Sequence, residues 1–411
     1  MRIYLLLLLM MACAESYAQN NNAPSSYDVH DIRITGYLQT QYQKAQSAGI
    51  YSWSGGDFDK NSDSRFMIRR GRLKIDRTDP FSSIIFQIDG TQDGIRLMDA
   101  FIQFHPPTLA AIKFTAGLFN RPFGYSIVYS SGYRDFPERA RVFQTLMPRE
   151  RDLGAMLSYQ PQKQWRFLTA QLALVNGSGL SAKDDDKAKD LIGNLSFHFD
   201  SLRRGALQVG FGASFYKGSV RSNTTTLFES HKGGFMPDAQ AGNAGRQVKR
   251  EYYGVDLQLI YTGTWGAGSF KTEYIAGKQP GVAASASVSG PAASTSFSTQ
   301  PTGDLYLRPF RGYYFWFTQQ IAGSKWTALL AYDVYDPNTD IKESAIGQAG
   351  NYTTAGDIQF NTLGYGLTYA LNTRLKLTAY NEHITNRGTQ LTTHKADLKD
   401  DVFTARLQYR W

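Results

Sequence analysis

Basic side chains that could hold an anion crowd two short stretches of the chain. In Arg65-Phe-Met-Ile-Arg-Arg-Gly-Arg-Leu-Lys-Ile-Asp-Arg77, Arg70, Arg72 and Lys74 recur at every second position. Within residues 119–152, Arg121, Arg134, Arg139, Arg141, Arg149 and Arg151 are interleaved with Asp135, Glu138, Glu150 and Asp152. A planar guanidinium forks onto a carboxylate or phosphate through two parallel hydrogen bonds, and a Lys ammonium adds a compact charge, so both suit anion recognition. The same cations can instead pair with their acidic neighbours. Other chemistry finds no support. The six histidines (His30, His105, His198, His231, His383 and His394) are scattered without metal-ligand spacing, and there is no Gly-x-Ser-x-Gly elbow. No enzyme activity, metal or cofactor is therefore expected. Asp184 to Asp190 is a mixed charge run that lacks the glycine and spacing of a calcium loop.

The first residues set the compartment. Arg2 precedes an apolar run with five consecutive leucines, and Ser16-Tyr17-Ala18 offers small residues where a signal peptidase reads. That order is a secretory signal peptide, and the run is too short to span a membrane as a helix. The expected organisation is a signal peptide over residues 1–18, a short segment over 19–30 and one domain over 31–411. A rival reading makes Cys13 a lipid-modified first residue, but Met10-Met11-Ala12 fits that signal poorly. Cleavage after Ala18 removes the one cysteine, so disulfides and Cys-ligated metals are excluded. The formal charge of +9 survives, because Arg2 and Glu15 leave together. Nucleic acid is not the implied partner, since the cations sit on alternating strands of an exported chain without a nucleic-acid motif.

Those strands are read from periodicity. From Ile32 onward about sixteen segments alternate apolar with polar or small residues. In the last, Phe403, Ala405, Leu407, Tyr409 and Trp411 share one face, and Thr404, Arg406, Gln408 and Arg410 the other. Short connections (79–80, 161–164, 201–205, 263–268, 323–324, 372–373) take turns with long ones (45–64, 119–152, 176–190, 218–250, 278–308, 336–358, 384–400), apart from a brief link at 90–94. A soluble sandwich has no reason to sort its loops by parity, whereas an outer-membrane barrel keeps short turns on the periplasmic side and long loops outside. The expected fold is all-β, a transmembrane antiparallel barrel of about 16 strands with both termini on the short-turn side.

The barrel then positions the cations. Leu73 and Ile75 belong to the lipid face, so Arg70, Arg72 and Lys74 point into the lumen, and the pattern slips near Arg69 as at a bulge. A cation facing lipid at mid-depth costs about 2–4 kcal/mol, which keeps these chains inward. Arg33, Lys113, Lys271, Lys376, Arg406 and Arg410 are further inward candidates. Rings of Arg and Lys raise local anion concentration, unless Asp76, Asp89, Asp99 and Glu273 neutralise them across the wall. A sixteen-stranded barrel encloses a water-filled channel unless something narrows it. Residues 119–152 have the proline and glycine bends, aromatics and paired charges of an inward-folded constriction loop.

Four motifs carry a family resemblance: Arg69-Arg-Gly-Arg72, Leu97-Met-Asp-Ala-Phe-Ile-Gln103, Gly117-Leu-Phe-Asn-Arg-Pro-Phe-Gly124, and Glu138-Arg-Ala-Arg141 with Arg151-Asp-Leu-Gly154. Through them the first third of the mature chain resembles the phosphate-selective porin O and P family. The resemblance implies a sixteen-stranded, often trimeric channel whose third outer loop folds inward and whose lumenal Arg and Lys take up anions, phosphate possible. It extends to Arg70, Arg72, Lys74 and Lys113 on strands and to the six loop arginines named above. The aromatic end, with Phe403, Leu407, Tyr409 and Trp411, resembles the signal read by barrel-insertion machinery. Two alternatives stand beside the anion channel. One is a general or sugar-type porin, the other a transporter of hydrophobic solutes, although only about a dozen residues between Ala18 and the first strand are left for the plug that such a transporter needs.

Overall fold

Alternation becomes wall. The computed structural model describes residues 32–411 except 181–183, 185 and 286–301. The signal peptide and the 19–30 segment lie outside the described residues, as does most of the Ala- and Ser-rich stretch 283–302. The strands run in the order β1 (Ile32–Ala45), β2 (Ser64–Thr78), β3 (Ser82–Thr91), β4 (Gly94–Phe104), β5 (Ile112–Asn120), β6 (Arg151–Tyr159), β7 (Leu168–Val175), β8 (Asp190–Leu202) and β9 (Leu207–Arg221). A hairpin of β10 (Thr226–His231) and β11 (Gly234–Ala239) stands outside the wall. The wall resumes with β12 (Gln247–Gly263), β13 (Gly266–Gly281), β14 (Leu305–Gln320), β15 (Trp326–Asp336), β16 (Phe360–Ala370), β17 (Leu375–Asn386) and β18 (Val402–Arg410). Because β9 pairs directly with β12, from Arg221↔Gln247 to Leu207↔Tyr261, the hairpin drops out and sixteen strands remain.

Closure is made by β1 and β18, antiparallel from Tyr37↔Arg410 to Ala45↔Val402. Trp411 extends the seam, donating its N–H to Gly36 O at 3.1 Å and accepting from Gly36 N at 3.3 Å. With no edge left, every wall strand has partners on both sides, the condition for a sheet to cross lipid. Among the described residues no helix is long and apolar enough to do so.

Burial is inverted relative to a water-soluble protein. On β18 the apolar Leu407 is 44% exposed while Arg406 is 5% exposed. Ile84, Phe86, Leu172, Leu174 and Val255 are likewise exposed, facing the solvent that lipid provides. Outward rings gather near the short turns, where Phe167 stacks on Phe199 with centroids 5.1 Å apart and Phe197 on Phe211 at 5.0 Å. The phase slip on β2 is present. Arg69 and Arg70 both reach Glu138, so two consecutive residues face inward, while Phe66 and Ile68 before them and Ile75 after them are exposed.

Wall height is uneven. The β3–β4 turn closes at Thr91↔Gly94, and β2 pairs with β3 only from Arg72↔Asp89 downward. Across the barrel β12 has 17 residues and β13 has 16. Above that taller side the outer loops pack on one another. Phe228, Phe235, Tyr306, Ile341, Ile346 and Ile358 form one apolar cluster. Arg308 meets Asp357 at 2.8 Å, both fully buried, and also donates to Val282 O and Ala283 O. The β10–β11 hairpin, placed by the alternation only within a long loop, is held there by parallel pairing of β10 with β14. Its two-residue Lys232-Gly233 turn places Gly233 at φ 89°, a backbone conformation that glycine adopts without strain.

Candidate functional site

Residues 121–150 leave the wall after β5 and return at β6, and their ends meet: Arg121 N–H donates to Glu150 O at 2.9 Å. Between these points the chain holds two short helices, α1 (Gly124–Val128) and α2 (Arg141–Leu146). Their contacts reach inward-facing side chains on opposite sides of the barrel. On one side Gln39 Nε2 donates to Ser131 O, Gln408 Nε2 to Gly132 O, and Lys376 Nζ to Arg134 O. On the other, Gly124 N–H donates to Ser214 Oγ and Ser126 N–H to Glu273 Oε2, both at 2.9 Å. The segment therefore crosses the bore.

Apolar packing sets its depth. Phe123, Ile127, Phe136, Val142, Phe143 and Leu146 bury against Tyr252, Phe310, Tyr314, Trp316 and Tyr380 of the wall. Phe136 stacks on Trp316 at 5.0 Å and meets Tyr380 edge-on at 5.8 Å. Gly312 permits the approach, because a Cβ there would come within 2.7 Å of Val142. Gly124, at φ 58°, combines a left-handed backbone with no room for a side chain beside Glu273.

Glu138 is the electrostatic tether. Arg69 Nε and Arg406 Nη2 each donate to its Oε1 at 2.8 Å, and Arg70 Nη2 donates to Oε2 at 2.6 Å. Burial pushes this carboxyl up, but the guanidiniums of Arg69, Arg70, Arg406 and Arg134 outweigh it and hold the group well below the usual range. A second tether is Glu150, which accepts from Arg139 and, at 2.7 Å, from Arg151. Arg151 also holds Asp99 at 3.0 Å.

The ten cations nominated from the sequence divide into two groups. Arg70, Arg72, Lys74, Arg121, Arg139 and Arg151 each hold a carboxylate. Arg121 and Asp152 are the most enclosed pair, 2.8 Å apart with side chains 1% and 0% exposed. Arg139 also donates to Ser126 O at 2.6 Å and Tyr129 O at 3.1 Å, capping the carbonyls of α1. The other four have no carboxylate partner among the described residues. Lys113 Nζ donates to Gln160 Oε1, and Arg134 Nη2 to Ser131 Oγ. Arg141 lies over the Phe360 ring at 3.8 Å and the Trp53 ring at 5.4 Å, and burial lowers it to about 10. Arg149 stands in left-handed backbone (φ 60°), and burial with Arg96 nearby lowers it to about 10.

Of the further inward candidates, Lys271, Lys376, Arg406 and Arg410 all meet the crossing segment; Arg410 lies over the Tyr133 ring at 4.3 Å. Period-2 reading did not single out the row Gln39, Gln41 and Gln43 on β1, which holds Arg70, Arg406 and Arg65 respectively. Their every-second-residue spacing was visible, but neutral amides give no charge signal.

A closed barrel of sixteen strands with an apolar exterior and a charged, internally tethered segment defines an outer-membrane channel protein. The chain belongs to the family described as phosphate-selective porin O and P, whose model matches residues 54–411. That match spans far more of the chain than the four motifs near its start. The family and the fold are those of a channel rather than of an enzyme, and they place the protein in the outer membrane. Among solved structures it is similar to the outer membrane channel DcaP of Acinetobacter baumannii (TM-score 0.55, 11% identity, covering 92% of this chain and 97% of that one). It is also similar to OmpF of Salmonella typhi in complex with daunomycin (0.53, 10%, 92% and 97%). A third is OmpT of Vibrio cholerae in its trimer form (0.50, 11%, 92% and 99%). At these identities the likeness is one of fold. Among curated proteins no sequence matches.

Proposed function

We propose that the protein is a passive porin whose bore is narrowed by residues 121–150 and whose aqueous path favours small anions, phosphate among them. The observation that carries this reading is that Arg134, Arg141 and Arg149 on the crossing segment have no carboxylate partner among the described residues, while the carboxylates opposite are covered. Glu273 is 1% exposed beneath α1, and Asp333 accepts from the Arg141 N–H. Lys74 keeps 34% of its side chain exposed while its partner Asp76 keeps 7%. Positive charge without a carboxylate partner beside the bore raises local anion concentration, and the name of the family points the same way. The reversal potential of the purified protein in a planar bilayer under a potassium chloride gradient tests this. The expected sign is that of chloride permeation, and cation preference would sink the reading.

One observation favours a second reading, a general or sugar-type porin without ionic preference. Six of the ten nominated cations are neutralised by carboxylates. That reading requires a reversal potential near zero.

Assembly follows the same pattern. A homotrimer is proposed, in keeping with the trimer form of the Vibrio cholerae neighbour. Phe403, Leu407, Tyr409 and Trp411, all exposed on the lipid side, serve as the signal for barrel-insertion machinery. Trp411→Ala is then expected to lower the amount assembled in cells several-fold while detergent refolding proceeds unchanged. Equal losses in both would make Trp411 a seam residue only.

A further inference from the structure

Beside the low wall the bore widens into a cavity larger than a bare inorganic anion needs. It lies between the β1–β2 loop, the upper half of β2, the β3–β4 turn and the end of the crossing segment, and its volume is about 410 Å³. Arginines and carboxylates line it together: Asp57 and Asp93 face it, Asp89, Glu138 and Glu150 are each held by other arginines, and Arg96, Arg134 and Arg149 stand beside the half-buried Trp53.

The guanidiniums have unused donors. Arg134 is 4% exposed, and its Nε and Nη1 have no hydrogen-bond partner among the described residues. Leaving such a group buried without an acceptor is costly, and a carboxylate or phosphate is the acceptor whose geometry matches it. Arg96 and Arg149 form no ion pair among the described residues. The apolar side is preformed. Trp53 is held by Arg141 over its ring at 5.4 Å. A volume of this size, with an aromatic ring beside unpaired guanidiniums, can hold a small organic anion. Inorganic phosphate would satisfy the arginines but leave the Trp53 ring uncovered.

We propose that this cavity is a binding site for an organic anion, a single carboxylate or phosphate group carried on an apolar body of about aryl size, taken up before it passes the crossing segment. The assignment rests on the anion-channel reading and narrows its substrate. The anionic group lies toward Arg134 and Arg149, and the apolar body lies against Trp53.

Blocking of single-channel potassium chloride current by the purified protein tests it, with four additives on the outer side: benzoate, phenyl phosphate, inorganic phosphate and benzyl alcohol. Benzoate and phenyl phosphate are expected to interrupt the current at concentrations about tenfold lower than inorganic phosphate, with benzyl alcohol silent. Arg149→Gln and Trp53→Ala are each expected to raise the half-blocking concentration of both aryl anions several-fold. Arg149 stands on the rim, so its variant tests the site without unpacking the segment that Arg134 helps to hold. Block by inorganic phosphate at the same concentration overturns the organic-anion assignment and leaves the anion channel standing. Block by benzyl alcohol at that concentration overturns the part given to the arginines. A cation-selective reversal potential would instead remove the channel reading on which the site rests.

Discussion

Glu138→Gln is expected to release the middle of the crossing segment from the wall. The substitution keeps the volume and removes the carboxylate that faces Arg69, Arg70 and Arg406 together. Removing one partner of a buried ion pair costs about 3–5 kcal/mol, because the charge left behind is uncompensated. Here three guanidiniums are left, and they repel one another. The expected result is an earlier heat-induced mobility shift in detergent gels and a noisier open-channel current. Unchanged values for both would show that the segment is held without Glu138. The pH dependence has a definite sign. Because the folded carboxyl lies well below its ordinary value of about 4.3, its stabilisation is complete above that value and is lost only as pH falls through the folded pKa. Glu150 shifts the same way: burial opposes it, but Arg139 and Arg151 win. The wild-type segment should therefore stay in place from neutral pH down to about 4 and loosen only in stronger acid. Loosening between pH 7 and 5 would contradict the tether.

Deleting residues 124–148 and joining the ends with a short glycine linker is expected to raise single-channel conductance about twofold or more, since an unobstructed sixteen-stranded barrel encloses a wide aqueous channel. The geometry allows it, because Arg121 and Glu150 already share a backbone hydrogen bond and the segment is a closed excursion whose ends meet. The wall strands keep their pairing, with β5 and β6 in register from Ile112↔Tyr159 to Asn120↔Arg151. Anion preference should fall with the loss of Arg134 and Arg141. An unchanged conductance would move the narrowest point elsewhere, with the packed outer loops over the tall wall as the next place to look.

Much of the wall was legible because its physics is local. A strand in lipid shows one face to hydrocarbon and one to water, so period 2 appears directly in stretches such as Val402–Arg410. Turn parity gave the topology for a similar reason, since each connection is a contiguous piece of chain. Even the irregularity at Arg69 was visible as a break in alternation. The hairpin at Thr226–His231 and Gly234–Ala239 was not read, because its pairing with β14 joins residues far apart in sequence.

The sequence by itself determined that this chain forms an exported barrel of about sixteen strands with cations turned inward. It also marked residues 119–152 as a segment unlike the wall. Only the tertiary structure decided what those cations do. Arg121, Arg139 and Arg151 carry the same charge and stand in the same stretch as Arg134, Arg141 and Arg149, yet the first three hold carboxylates and the last three do not. The difference lies in which carboxylate the fold brings to each guanidinium: Asp152 of β6 to Arg121, Glu150 at the end of the segment to Arg139, and Asp99 of β4 to Arg151. Coulomb interaction depends on distance in space, and that distance is not written in the order of residues.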